Sequence, residues 1–334
     1  MKILISSHAF APSIGGIETV TALLAKEFVR QGSEVAVVTQ TVEESLEPFP
    51  FRVVRQSTLG ELREALRWCD IFWQNNLSLR TLWPALFQRT PVVITHQGSY
   101  CRRPAGIDLV QRLKHAVVRR RSSVAISKAV ADCFDVDSHL IPNPFDAQLF
   151  APGPPAEERS NDLIFVGRLV TEKGVDLLLH ALKQLPASTR LTIVGLGPER
   201  AAMEELATQL GLQEQVYFAG PQRGVELVRL LQEHKILVVP SRYDEPFGVV
   251  ALEGIACGCV VVGSSGGGLA EAIGASGLTF PNGDAALLAT LLGRLLREPD
   301  ERARLAANGP AHLARFHPAV VAQSYLSLFA AKLR

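Results

Sequence analysis

The sequence predicts a parallel α/β protein built from two Rossmann-like halves. Three observations carry that expectation. Short β-branched runs alternate with longer helical patterns over the whole length. A stretch rich in Pro, Gly and charge, Ala151-Pro152-Gly153-Pro154-Pro155-Ala156-Glu157-Glu158-Arg159-Ser160, interrupts the alternation near its middle and reads as an exposed linker. Glycine-bearing turns follow several of the strand-like runs and open helical patterns, which lets backbone approach a ligand closely.

The first series reads as strands over Lys2 to Ser6, Glu34 to Thr39, Phe51 to Val54, Ile71 to Gln74, Pro91 to Thr95, Ser123 to Ala125 and His139 to Ile141. Its first helix spans about Ile17 to Gln31, and the series ends near Phe150. A second series follows over Asp162 to Val166, Arg190 to Val194, Gln215 to Phe218, Ile236 to Val239, Cys259 to Gly263 and Gly277 to Phe280. A terminal amphipathic helix covers about Pro318 to Lys332. Domains of 1–150 and 151–317 result, with a cleft expected between them, because ligands of such sheets sit at the carboxyl ends of the strands.

Composition narrows the function classes. The 334 residues are 47% hydrophobic, enough for two ordinary cores. Basic and acidic residues number 34 and 33, so no global field recruits nucleic acid. Five scattered cysteines form neither a disulfide framework nor a paired zinc signature, and a reducing cytoplasm is the natural setting. Met1 to Ile5 reads as a strand rather than a signal peptide, since Ser6, Ser7 and His8 interrupt it, and no run of apolar residues is long enough to span a membrane.

The most informative motif is Asp244-Glu245-Pro246-Phe247-Gly248, followed by an apolar stretch to Glu253-Gly254. Pro246 suits a first helical position and Gly258 a helix end, so the expected helix runs from about Pro246 to Cys257 with Glu245 at its mouth. Eight residues of helix would set Glu253 about 12 Å further along, a span suited to gripping two ends of one long ligand. Glycosidase carboxyl pairs sit closer together than that. A helix start also offers free N–H groups and a positive dipole end to a phosphate.

Other motifs cluster around it. Pro12-Ser13-Ile14-Gly15-Gly16-Ile17-Glu18 places a glycine pair before the first helix. Gly167-Arg168-Leu169 and Glu172-Lys173-Gly174 leave a strand end with two cations, a charge-assisted donor and a compact point charge such as a diphosphate needs. Gly195-Leu196-Gly197 lacks the third glycine of a dinucleotide fingerprint. Ser264-Ser265-Gly266-Gly267-Gly268 offers a further backbone nest.

Taken in order, Gly15-Gly16-Ile17-Glu18, Val166-Gly167-Arg168-Leu169 with Glu172-Lys173-Gly174, Glu245 through Glu253, and Gly267-Gly268-Leu269-Ala270-Glu271 resemble the retaining GT-B glycosyltransferases of the glycosyltransferase 4 family, also called glycosyl transferases group 1. The resemblance spans nearly the whole chain. It implies that Arg168 and Lys173 hold a donor diphosphate approached by the Gly15-Gly16 backbone, and that Glu253 takes the ribose hydroxyls. It further implies that Glu245, with the Phe247 and Gly248 backbone, contacts the transferred sugar and phosphate. His96 matches a family histidine near that sugar, and the helix from Pro318 looks like the family's crossover back to the first domain.

The chain departs from the family at His96-Gln97, where His-Asp is common, and at Asn143-Pro144, where Asn-Gly is common. A histidine after a strand also fits a satisfied core side chain. Asp135-Val136-Asp137 has the spacing of a carboxylate pair but sits in a turn away from the diphosphate motif. Arg102 to Arg121 holds seven cations against Asp108, which suits an ordinary solvated helix, an anionic membrane or an anionic acceptor.

The resulting expectation is a cytoplasmic enzyme, peripheral to a membrane if residues 102–121 meet lipid. It would move a sugar from a nucleoside diphosphate sugar, UDP- or GDP-linked, to a hydroxyl acceptor with retention, using neither metal nor cofactor and binding no nucleic acid. A sugar-nucleotide epimerase of the same architecture and a non-catalytic sugar-nucleotide binder are the alternatives. A dinucleotide oxidoreductase would need the complete glycine fingerprint.

Overall fold

A computed structural model describes residues 1–13, 15–43, 48–98, 118–119, 121–133 and 137–334. The chain divides into two compact units, Met1–Pro144 with Phe316–Arg334, and Phe145–Arg315.

In the first unit the strands are β1 Lys2–Ser6, β2 Glu34–Thr39, β3 Arg52–Arg55, β4 Ile71–Asn75, β5 Val92–His96, β6 Ser122–Ala125 and β7 Ser138–Leu140. They form a 7-stranded parallel sheet in the order β3-β2-β1-β4-β5-β6-β7. Ile3, Leu4 and Ile5 are wholly buried, as are Val93 and Ile94, because a sheet covered on both faces buries successive side chains. Helix α1, Gly16–Arg30, turns Val20, Leu24 and Phe28 inward at helical spacing. Helix α2, Leu59–Trp68, starts on a capping box, with Thr58 Oγ accepting from the Glu61 amide at 3.2 Å and the Glu61 carboxylate accepting from the Thr58 amide at 2.8 Å. Short helices α3, Leu79–Leu82, and α4, Lys128–Asp132, complete the described connections with a 3-10 turn at Trp83–Phe87.

The terminal helix Pro318–Leu333 returns to this first unit through aromatic packing. Trp73 lies 5.7 Å from Phe28 and 4.9 Å from Tyr325 between ring centres. Trp73 Nε1 donates to Thr95 Oγ1 at 2.8 Å, and the Thr95 and Tyr325 hydroxyls share a 3.0 Å hydrogen bond. Every polar atom of this aromatic knot is therefore paired inside the core, as burial requires.

The second unit holds β8 Asn161–Val166, β9 Leu191–Val194, β10 Val216–Gly220, β11 His234–Val239, β12 Val260–Ser264 and β13 Gly277–Phe280. Their order, β10-β9-β8-β11-β12-β13, is again wholly parallel. Helices α5 Val175–Leu182, α6 Arg200–Gln209, α7 Gly224–Glu233, α8 Val249–Ala256, α9 Leu269–Ile273, α10 Ala285–Arg297, α11 Pro299–Ala306 and α12 Gly309–Leu313 connect and follow the strands. Its core joins Leu163, Phe165, Leu178, Ile193, Val238 and Val262. The chain reverses its direction across the sheet between β8 and β11, and such a switch point opens a crevice at the strand carboxyl ends.

Two expectations are corrected. Helix α8 begins at Val249 rather than Pro246, so Glu245 stands outside it and the 12 Å helical spacing to Glu253 does not apply. Glu245 instead forms a parallel bridge with Gly267, its carbonyl accepting from the Gly268 amide at 2.6 Å, and this cross-link keeps residues 245–248 out of the helix. The 151–160 stretch is not a free linker throughout. Arg159 is buried and donates to the carbonyls of Pro154, His234 and Cys257 at 2.9, 2.7 and 2.9 Å. Cys69, Cys257 and Cys259 are buried thiols, each pushed up to about 12 by burial, whereas Cys133 is disulfide-bonded, which the scattered cysteines did not foretell.

Candidate functional site

Four loops meet at the carboxyl edge of the second sheet. The loop after β8 carries Arg168 and Lys173, that after β9 carries Gly195 and Gly197, that after β11 carries Ser241 to Gly248, and that after β12 carries Gly266 to Gly268. Glycines make the convergence possible. A Cβ on Gly195 would lie 1.8 Å from the Gly167 carbonyl oxygen, and one on Gly267 would lie 2.1 Å from that of Glu245. Gly195 and Gly267 also hold φ of 144° and 74°, a region costly for other residues.

The centre of the site is the Glu245 carboxylate, buried and held by three donors. Lys173 Nζ donates to Oε1 at 2.5 Å, Ser241 Oγ to Oε1 at 2.6 Å and the Tyr243 hydroxyl to Oε2 at 2.5 Å. Lys173 also stands 5.3 Å above the Tyr243 ring. Burial, reinforced by the Glu245 charge, raises the Tyr243 hydroxyl, so it stays a donor at any working pH. Ser241 is itself fixed by its neighbour strand, since Ser264 Oγ donates to its carbonyl at 2.6 Å. A few residues along, Arg242 is drawn to Asp176 by a charge-assisted pair.

Arg168 differs from Lys173. Its side chain is exposed, and among the described residues it has no hydrogen-bond or ion-pair partner. Gly248 caps α8 at φ 101°, and its missing Cβ leaves room for Leu269, while Phe247 is buried. The carboxyl of Glu253, one turn into α8, has no hydrogen-bond partner among the described residues. Burial, with the nearby Asp146 charge adding to it, pushes its carboxyl up to about 7, although part of the side chain still meets solvent. A carboxyl raised by burial and left without a side-chain partner is the kind of perturbed group that marks a candidate site.

Gly15, Gly16 and His96 belong to the first unit. Gly15 caps α1, and nothing lies within 4 Å of a Cβ placed on Gly16. His96 ends β5 and is fully buried. Gln97, the first departure, pairs with the residue just before the second: Gln97 Nε2 donates to Asn143 Oδ1 at 3.1 Å, Asn143 Nδ2 returns a bond to Gln97 Oε1 at 2.8 Å, and Gln97 Nε2 also reaches Asn75 Oδ1 at 2.7 Å. An aspartate after His96 would lose the donor half of that amide pair. Most of the basic 102–121 segment and Asp135 lie outside the described residues.

Ser241 and Tyr243 were not singled out from the sequence. The available signal was their placement four and two residues before Glu245, where a turn can bring hydroxyls onto one carboxylate.

Two Rossmann-like units with wholly parallel sheets and a returning terminal helix define the GT-B class of protein. Solved structures agree on the fold: HepE from Anabaena, crystallised with UDP, has a TM-score of 0.85 at 21% identity over 99% of this chain and 100% of that one. A glycosyltransferase from Rickettsia africae has a TM-score of 0.84 at 17% identity, covering 100% of this chain and 98% of that one. Residues 148–312 match the family Glycosyl transferases group 1. A D-inositol 3-phosphate glycosyltransferase from Frankia alni is 36% identical over 220 residues, 58% of this chain and 54% of that protein. The chain thus spans about half the length of the curated relatives it matches. Among the described residues no helix is long and apolar enough to cross a membrane.

Proposed function

We propose that this protein transfers a sugar from a nucleoside diphosphate sugar to a hydroxyl acceptor with retention of configuration, using protein cations rather than a metal to carry the departing charge. What supports it most is the sheet-edge loop cluster of the second unit, where a partnerless Arg168 and a Lys173 held by Glu245 follow β8 at the switch point and the Glu253 carboxyl lies on the helix that follows the Glu245 loop. Arg168 would take the diphosphate bidentately. Lys173, with its side chain 27% exposed, would turn its remaining N–H groups to the same phosphates while Ser241 and Tyr243 keep Glu245 satisfied. Glu253 would accept the two ribose hydroxyls. As the bond from the anomeric carbon to the diphosphate oxygen breaks, both electrons leave with the phosphate, and the fixed cations stabilise that charge without reorganising. The acceptor hydroxyl would attack from the same face, passing its proton to the departing phosphate oxygen, with His96 positioning the sugar.

HepE was crystallised with UDP and glucose, and the Frankia relative is named for inositol phosphate, so UDP-glucose and inositol 3-phosphate head the substrate screen. NMR of the freshly formed glycoside tests retention, and an inverted anomeric coupling refutes it. Turnover in excess chelator is expected to persist, and its loss with recovery on added metal refutes the metal-free assignment. Formation of a sugar-altered nucleotide without acceptor would instead mark an epimerase.

A further inference from the structure

A second feature lies in the first unit, away from the strand carboxyl ends. A cavity of about 620 Å³ is lined by Arg63 and Arg67 of α2 and by Trp83, Pro84, Phe87, Gln88 and Arg89 of the turn leading into β5. Helix α2 delivers the chain to the start of β4, and Gln88-Arg89 delivers it to the start of β5, so the patch faces the amino ends of these strands. All three arginines are exposed, and among the described residues none has an ion-pair or hydrogen-bond partner. Glu64 sits on the same helix but does not line the cavity.

The apolar part is equally out of place in water. Phe87 is 81% exposed and Trp83 43% exposed, the two rings 6.3 Å apart in edge contact. Leaving Phe87 almost bare and Trp83 nearly half exposed forfeits much of the stabilisation that large aromatics normally supply to a fold. Three unpaired guanidiniums around two protruding aromatics match the chemistry of a bilayer interface: the rings sit at headgroup level, and the guanidiniums meet lipid phosphates. We propose that this face docks the protein on an anionic phospholipid bilayer, with Trp83 and Phe87 inserted and Arg63, Arg67 and Arg89 on the phosphates. The lining residues named are other than 102–121, and the proposal stands or falls independently of sugar transfer.

Vesicle flotation of the full chain tests it. Vesicles of phosphatidylglycerol and phosphatidylcholine in equal parts are expected to carry the protein at low salt, and pure phosphatidylcholine vesicles are not. Each arginine contributes about fivefold to partitioning, so reversing all three to Glu should weaken it at least a hundredfold. W83A/F87A should lower it about tenfold, and the conservative R63K/R67K/R89K should retain most of it, because a bilayer reads charge rather than fork geometry. All changed side chains are exposed, and thermal melting confirms that each variant folds. Wild type that ignores the anionic vesicles, or a triple Glu variant that floats like wild type, overturns the proposal. So does displacement by millimolar inorganic phosphate with loss in the Lys variant, which would make the cavity a small-anion site.

Discussion

Replacing Glu253 by glutamine should make the protein more stable at alkaline pH while weakening its grip on a nucleoside diphosphate. The carboxyl is raised from 4.5 to about 7 by burial and by Asp146. A group whose folded pKa lies above its unfolded one contributes stability that is complete below the unfolded value and fades as pH climbs through the folded value. Here the window runs from about 4.5 to about 7, and above it the folded protein carries a poorly solvated carboxylate. At 1.36 kcal/mol per pKa unit, the cost above the window is at most about 3 kcal/mol, an upper bound because part of the side chain meets water. Glutamine keeps the shape without the charge, so Glu253→Gln should match wild type near pH 4.5 and exceed it by 1 to about 3 kcal/mol at pH 8. Urea unfolding followed by far-ultraviolet circular dichroism at several pH values measures the difference. All three tryptophans, Trp68, Trp73 and Trp83, lie in the first unit, so their fluorescence should register less of the gain. A stability difference that does not change with pH, or a variant weaker than wild type at pH 8, would refute the buried-carboxylate account. If stability rises but diphosphate affinity is untouched, the carboxyl is strained for a reason other than ribose.

Arg168→Ala should weaken nucleoside diphosphate about tenfold to a hundredfold and leave free nucleoside unchanged, since one charge-assisted contact is worth roughly 1.5–3 kcal/mol; equal losses by calorimetry would remove the phosphate role. Lys173→Met alone strands the buried Glu245 carboxylate on two hydroxyl donors and should cost about 2–3 kcal/mol, below the usual penalty for breaking a buried pair because Ser241 and Tyr243 remain. The double variant Lys173→Met with Glu245→Gln should recover at least half of that in urea melts, and strict additivity would contradict the coupling. Gly267→Ala forces a Cβ against the Glu245 carbonyl at positive φ, so it should destabilise by about 2 kcal/mol or more and lower donor affinity, whereas a neutral effect on both would show that the bridge is dispensable.

How much was legible in the sequence follows from range. The β-branched runs gave every strand described within a residue or two, since a strand buried on both faces must be apolar along its length, and that signature is local. Arg168, Lys173 and Glu245 were visible as polar groups in the loops after strands, and Glu253 as a carboxylate in an apolar helical run. The helix starting point was not. Pro246 satisfies the local rule for a helix start, but a bridge to Gly267 overrides it, and a contact between residues so far apart leaves no periodicity to read. The same holds for the burial of Arg159, whose partners lie on distant elements, and for the pairing of Gln97 with Asn143, 46 residues along the chain. Chemistry-bearing residue types are written in the sequence, whereas the state of each group depends on its neighbours. A Glu245 carboxylate held by three donors and a Glu253 carboxyl with none are the same residue in one dimension, and only packing makes one an anchored carboxylate and the other a carboxyl pushed up to about 7.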